Sequence, residues 1–287
     1  MYNPETAPAL LRVAAAIARE RNYELECLSA IVIPRHQSPI ETAVSLQQSL
    51  KLFKMAEQIA QTWRITLHTQ IRVTHDVGQA ILEAEKDRHI DLILIGWRGQ
   101  QPSQDRIFGD VVDTVMRQAA AEVVVVKWGR KQQYFSQNYT HILNPPSADL
   151  QPYLRLNWHR WLVPVRDGST QAAALQLLPA LIQLSLNPNI LLLKVMRDCD
   201  LEPEFQMLET VAQGLKSRLQ TTVGVTTVCT KSVADGIIDV ATHRHANVIV
   251  LGASREGMLK QVIQGNIPEA IARGCNCTVI LVRPAVG

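Results

Sequence analysis

Aromatic residues are scarce in this chain. Trp, Tyr and Phe make up 5% of its 287 residues, which favours Val-, Ile- and Leu-rich buried strands over an aromatic-lined binding groove. Charge is sparse too: charged residues are 19% of the chain, the net charge is +3, and the basic residues are scattered. A nucleic-acid partner is therefore not expected. The N-terminus lacks a basic start followed by an apolar stretch and cleavage site, and no apolar run approaches the ~18–20 residues of a membrane span. The expectation is a soluble, cytoplasmic chain. The five cysteines (Cys27, Cys199, Cys229, Cys275, Cys277) are odd in number and read as reduced, free thiols. Cys275-Asn276-Cys277 has no second Cys/His pair at ligand spacing, so no metal is expected. A nucleophile elbow, an HExxH helix, a Walker lysine and paired carboxylates in one predicted cleft are all missing, so no catalytic residue is assigned.

What the chain does have is 47% hydrophobic residues, enough for packed cores and against general disorder, and a length suited to two domains. It also repeats itself. His89-Ile90-Asp91-Leu92-Ile93-Leu94-Ile95-Gly96 corresponds to His245-Ala246-Asn247-Val248-Ile249-Val250-Leu251-Gly252. At the same offset Gly109-Asp110 falls on Gly265-Asn266, Asp113 on Glu269, and Val123–Val126 on Val279–Val282. Two copies of one domain are expected, at 1–128 and 158–287, with a polar, Pro-interrupted linker at 129–157.

Apolar periodicity alternates within each copy. In the second, strands are expected at 161–165, 190–195, 222–229, 248–251 and 278–282, and helices at 170–186, 203–219, 233–243 and 266–273. Strands alternating with helices imply a parallel sheet covered on both faces. In the first copy, helices are expected at 9–21, 45–63 and 77–88, another begins near Asp110, and strands are expected at 28–33, 67–73, 92–95 and 123–126. A first strand before Ala9 is missing. An internal start at Met1 within a longer protein is the favoured explanation. A strand at Tyr139–Leu143 filling the gap, and an incomplete domain, are the alternatives.

In both copies a buried strand ends at glycine, and a loop leads to another glycine at a helix start. The first reads Gly96-Trp97-Arg98-Gly99, nine residues, then Gly109-Asp110. Glycine permits positive φ and close backbone approach, and a helix start offers amide donors and a positive dipole end, an anion site. Ligands of such sheets bind beyond the strands' carboxyl ends. Trp97-Arg98 is placed to stack on a base or to contact a protein. His243-Arg244-His245, like His89, reads as a cationic helix end.

The spacing G-x2-G-x9-G between an apolar strand and a helix, followed by a Val-rich strand, resembles the universal stress protein family. Val163-Pro164-Val165-Arg166-Asp167-Gly168-Ser169 resembles that family's opening, and Cys277-Thr278-Val279 its closing run. The resemblance implies an α/β fold of two Rossmann-like (adenine nucleotide alpha hydrolase-like) domains, each with a parallel five-stranded sheet of order 3-2-1-4-5. It implies pairing of the domains through their last strands, with a homodimer as a further partner. It implies an adenine nucleotide, ATP or AMP, with Mg²⁺ accompanying only ATP. Carried over by position, the binding residues are Ile33, Gly96, Gly99, Gly109 and Asp110 in the first copy, and Asp167, Val195, Gly252, Gly265 and Asn266 in the second. The first copy lacks a counterpart of Asp167. Asp110 stands where the family has a hydroxyl, and a carboxylate there repels phosphate by roughly 1–4 kcal/mol. Arg255 replaces the second glycine but brings a planar cationic fork. The opening Asn3–Arg12 and the Gly96–Gly99 loop resemble cytosolic tails of amino-acid permeases and related transporters. The expected function is a regulatory or sensing module, in one version the cytosolic tail of a membrane transporter tethered at the inner face of the membrane. A nucleotide hydrolase and a ligand-free scaffold are the alternatives.

Overall fold

The apolar runs that are continuous rather than alternating become strands buried on both faces, and the alternation of strand with helix sends the chain back over the sheet each time. The computed structural model describes residues 6–33, 39–97, 108–129, 155–165, 169–196, 205–253 and 267–286. The first half runs α1 (Ala7–Arg21), β1 (Leu25–Val32), α2 (Pro39–Trp63), β2 (Leu67–Thr74), α3 (Val77–Arg88), β3 (Leu92–Trp97), α4 (Asp110–Gln118) and β4 (Glu122–Lys127). The second runs β5 (Arg160–Pro164), α5 (Ser169–Ile182), β6 (Asn189–Met196), α6 (Phe205–Leu219), β7 (Thr222–Cys229), α7 (Val233–His243), β8 (Val248–Gly252), α8 (Ile267–Gly274) and β9 (Thr278–Arg283).

Local chemistry sets many of these boundaries. Asp76 caps α3 by accepting from the Gln79 N–H at 3.1 Å, and Ser232 caps α7 by accepting from Asp235 at 3.3 Å. Asn22 and His89 close α1 and α3 in the left-handed conformation, with φ of 55° and 53°. Pro39 opens α2 earlier than the expected Ser45, at a helical position where a missing N–H is harmless. Tyr139–Leu143 lies outside the described residues.

The second half has the sheet order β7-β6-β5-β8-β9, all parallel, which is the 3-2-1-4-5 order expected. In the first half β1 and β2 form a separate two-stranded parallel sheet, while β3 and β4 join the larger one. Among the described residues no strand stands between β1 and β3. The two halves are joined by an antiparallel ladder between β4 and β9, which pairs Val124 with Val282 and Val126 with Ile280 and makes one seven-stranded sheet. The last strands are thus the pairing edges, as the resemblance implied.

One face of the sheets is covered by α1, α2, α5 and α6, whose Ile17, Ile59, Leu177 and Leu208 share a core. The other is covered by α3, α4, α7 and α8, through Leu82, Val115, Ile237 and Ile271. Reciprocal bonds reinforce the junction. Arg283, 1% exposed, donates to the carbonyls of Ala119 at 2.9 Å and Ala121 at 2.6 Å, just past the end of α4. At the related place Lys127 donates to the carbonyls of Cys275 at 2.6 Å and Cys277 at 3.3 Å, past the end of α8. Each cation therefore meets the negative end of the other half's helix. The few aromatics gather here too: Trp128 stacks on Trp158 at 5.9 Å, and Trp158 meets Trp161 edge-on at 5.4 Å.

Candidate functional site

Gly96 is an interior residue of β3, opposite Val126 of β4, and the strand continues through Trp97. Trp97 is therefore not the loop residue the sequence suggested. It is 5% exposed and packs edge-to-face on Phe108 at 5.1 Å. That pair draws the two ends of the turn together. Its indole Nε1 is buried without a hydrogen-bond partner among the described residues. Gly109 follows, with φ 97° and ψ 162°, a conformation essentially reserved for glycine. A Cβ placed there would meet nothing within 4 Å among the described residues, and the backbone conformation by itself requires glycine.

Gly109 is the N-cap of α4, and its carbonyl accepts the Asp113 N–H at 2.9 Å. The Asp113 carboxylate, 5% exposed, reaches back to accept the Phe108 N–H at 3.2 and 3.3 Å. Sequence reasoning used Asp113 only as the repeat counterpart of Glu269 and gave it no role in the turn; a carboxylate in the first turn after a glycine N-cap was the available signal. With Asp110 it puts two carboxylates in the first turn of α4. Gly96, Gly109 and Asp110 line one cavity of ≈ 1580 Å³, which runs down between β1 and β3 and between α1 and α3. Gly99 and Arg98 lie outside the described residues.

Ile33, just past β1, is already engaged: its N–H donates to the Thr74 carbonyl at 3.0 Å, and its carbonyl accepts from His75 Nδ1 at 2.8 Å. His75 carried no sequence signal. In the second half Gly252 ends β8 opposite Val282, and Val195 pairs with Val228 beyond the end of β5. Asp167, Arg255, Gly265 and Asn266 lie outside the described residues. His243 sits at the end of α7, as its cationic-end reading expected.

The cysteines differ in state. Cys27, Cys275 and Cys277 are free, while Cys229 is disulfide-bonded, which corrects the expectation of reduced thiols throughout. Burial pushes the Cys27 thiol up to about 12. The Cys275 thiol beside it holds Cys277 below its ordinary range, assisted by Lys127, and Cys275 is raised in turn. Among the described residues no group of three or more His, Cys, Asp or Glu is placed to hold a metal ion, and no helix is long and apolar enough to cross a membrane.

Residues 2–127 and 158–283 each match the model of the universal stress protein family. Among solved structures, the chain is similar to a universal stress protein from Archaeoglobus fulgidus, at TM-score 0.60 and 13% identity, covering 95% of this chain and 92% of that one. It is also similar to a putative universal stress protein from Pseudomonas aeruginosa, at TM-score 0.54 and 15% identity, covering 96% and 88%. Among curated proteins, 126 residues are 28% identical to the Na(+)/H(+) antiporter NhaS5 of Synechocystis, which is 44% of this chain and 18% of that protein's length.

Proposed function

The chain belongs to the universal stress protein family, and we propose that it works as a regulatory or sensing module that binds an adenine nucleotide without turning it over. Its domains are taken as 1–128 and 158–287, joined by 129–157. The observation that carries this proposal is the conformation of Gly109: at φ 97° it opens α4 beside the cavity lined by Gly96, Gly109 and Asp110. Amide groups of the first turn then face the position a phosphate would take. ATP or AMP would be held by Gly96, Gly99 and Gly109 in the first half. In the second half Asp167 and Val195 would hold the nucleoside, and Gly252, Arg255, Gly265 and Asn266 the phosphates. Mg²⁺ enters only with ATP.

The likeness to an antiporter supports placing this module at the cytosolic face of a membrane transporter, where nucleotide occupancy would adjust transport. Detection of the chain fused to, or co-purified with, a cation antiporter in the native membrane supports that placement; recovery wholly apart from membranes removes it. A second reading, a ligand-free scaffold in which the paired sheets are the functional element, is favoured by Asp110 and Asp113. These carboxylates already occupy the anion-favouring first turn of α4. Calorimetric titration with ATP and AMP, with and without Mg²⁺, separates the cases. Binding without turnover supports the sensor. Turnover makes the protein a hydrolase, and silence leaves the scaffold.

A further inference from the structure

The two halves build the same corner at the ends of α4 and α8, from different residues. The repeat sets Ala119-Ala120-Ala121 on Cys275-Asn276-Cys277. In each half the helix closes on the first of these residues: the Ala119 N–H donates to the Val115 carbonyl at 3.0 Å, and the Cys275 N–H to the Ile271 carbonyl at 3.0 Å. In each, the carbonyls of the first and third residues accept from a cation on the other half's last strand, Arg283 or Lys127. Ala119 is 0% and Ala121 6% exposed, so methyl groups suffice to fill this corner while its carbonyls are capped. The helix end, the cap and the packing therefore do not call for sulfur. Two thiols here add a chemistry that the fold does not use.

The thiols are placed to act on each other. A bend at Asn276 and Cys277 joins α8 to β9, and across it the Cys275 thiol donates a hydrogen bond to the Cys277 sulfur. Cys275 is 5% exposed and Cys277 is half-buried, so a small reagent meets Cys277 first. The exit of β4 holds the bend. Gly129 lies so close that a Cβ there would stand 2.7 Å from the Asn276 carbonyl oxygen and 2.8 Å from the Cys277 carbonyl carbon. Its N–H donates to Thr278 Oγ1 at 3.1 Å. Lys127 Nζ, bonded to both cysteine carbonyls, brings positive charge to the pair. The hydrogen bond from Cys275 and that charge both favour the Cys277 thiolate, whereas Cys275 keeps its proton. A thiolate that is partly open to solvent, near a cation and beside a second thiol, is reactive toward oxidants. Cys27 offers the contrast, a buried thiol held at about 12.

We propose that Cys275 and Cys277 are a peroxide-responsive dithiol that closes reversibly to a disulfide at the joint between the halves. The Cys277 thiolate attacks one oxygen of hydrogen peroxide, the O–O bond breaks, and hydroxide leaves and takes a proton from solvent, so that Cys277 becomes a sulfenic acid. The Cys275 sulfur then attacks the Cys277 sulfur. The S–S bond forms, the S–O bond breaks, and the departing hydroxide leaves as water with the Cys275 proton. The thiol pair is oxidised and the peroxide is reduced to water. Cysteines separated by one residue close a small ring, and strained disulfides are the readily reduced ones, so a thiol reductant reopens it. Because Lys127 holds the carbonyls of both cysteines, ring closure acts directly on a bond between the halves. The inference is independent of nucleotide binding.

The test treats the intact chain with hydrogen peroxide at neutral pH, blocks remaining thiols with N-ethylmaleimide and maps the peptides by mass spectrometry. The expected product is a peptide with a 275–277 disulfide, lighter than its reduced form by two hydrogens and restored by dithiothreitol. It should appear at least about tenfold faster than any oxidation of Cys27. Cys275→Ala and Cys277→Ala each install the residue found at the matching position of the first half, and circular dichroism checks that both fold. Cys275→Ala removes the second thiol and should leave a Cys277 sulfenic acid that dimedone traps. Cys277→Ala should give neither adduct nor disulfide. Absence of the 275–277 disulfide in the folded chain overturns the proposal, as does its appearance only in urea. Oxidation of Cys27 at an equal rate, or passage of Cys277 straight to an irreversible sulfinic acid in the unsubstituted chain, overturns it too.

Discussion

Replacing Arg283 with Met tests whether the junction depends on reciprocal capping of helix ends. The substitution keeps an apolar stem in β9 and removes the guanidinium that bonds Ala119 and Ala121 at 2.9 and 2.6 Å. At 1% exposure, water cannot take over those carbonyls. Hydrogen bonds to a charged group contribute roughly 1.5–3 kcal/mol each, and a buried carbonyl left unmet costs a comparable amount. The cation also faces the end of α4, an interaction worth up to about 2 kcal/mol when partly buried. These contributions overlap, so the expected loss is about 3–5 kcal/mol, a large share of the ~5–15 kcal/mol typical of a domain. Urea unfolding followed by circular dichroism should show the midpoint falling by about 1 M or more at unchanged slope. Arg283→Lys should recover part of the loss, because an ammonium retains the charge but not the fork. Lys127→Met should cost less, about 1–3 kcal/mol, because Lys127 is only partly buried and one of its bonds is 3.3 Å long. Lys127 and Arg283 stand at opposite ends of the β4–β9 ladder, so the double variant should be nearly additive. A loss below about 1 kcal/mol for Arg283→Met would refute the capping account.

Other expectations concern the turn and the thiol. Gly109→Ala should destabilise the chain by about 1–3 kcal/mol in thermal or urea melts, through φ of 97° alone; an unchanged melt would mean the turn relaxes freely. Asp110→Ser should tighten ATP binding in calorimetry by about tenfold, the low end of the repulsion between unit charges near 4 Å, and equal affinities would place the phosphate elsewhere. Burial holds the folded Cys27 thiol at about 12 against an ordinary 9.0. Its protonated form therefore stabilises the fold fully below pH 9, and that contribution fades as pH rises toward 12, at up to about 1.4 kcal/mol per unit. Stability measured from pH 8 to 11 should decline less steeply in Cys27→Ala, and identical slopes would count against it.

Strand and helix placement was largely readable because continuous Val, Ile and Leu runs leave little ambiguity between helical caps. The α7 span, 233–243, is found as expected from the apolar period. The domain pairing was readable from Val123–Val126 and Val279–Val282, short apolar edges that require partners. Other features depend on contacts that local pattern does not encode. Trp97 looked exposed because its partner Phe108 is distant in sequence, across the turn. His75 meets Ile33 only because β1 and β2 lie side by side in register. Arg283 and Lys127 close their Val-rich strands with no local signal of their role, and only the antiparallel ladder brings each to the opposite helix end.

The antiparallel seam between β4 and β9 has a consequence for anything that binds above the strands. Because each half is internally parallel and the seam reverses direction, the chain leaves Gly96 and Gly252 from opposite rims of one continuous sheet. A small effector can touch one rim only, and two macromolecules can dock head-to-tail without competing. Any coupling between ligands at the two rims would have to cross the β4–β9 ladder and the helices packed on its faces.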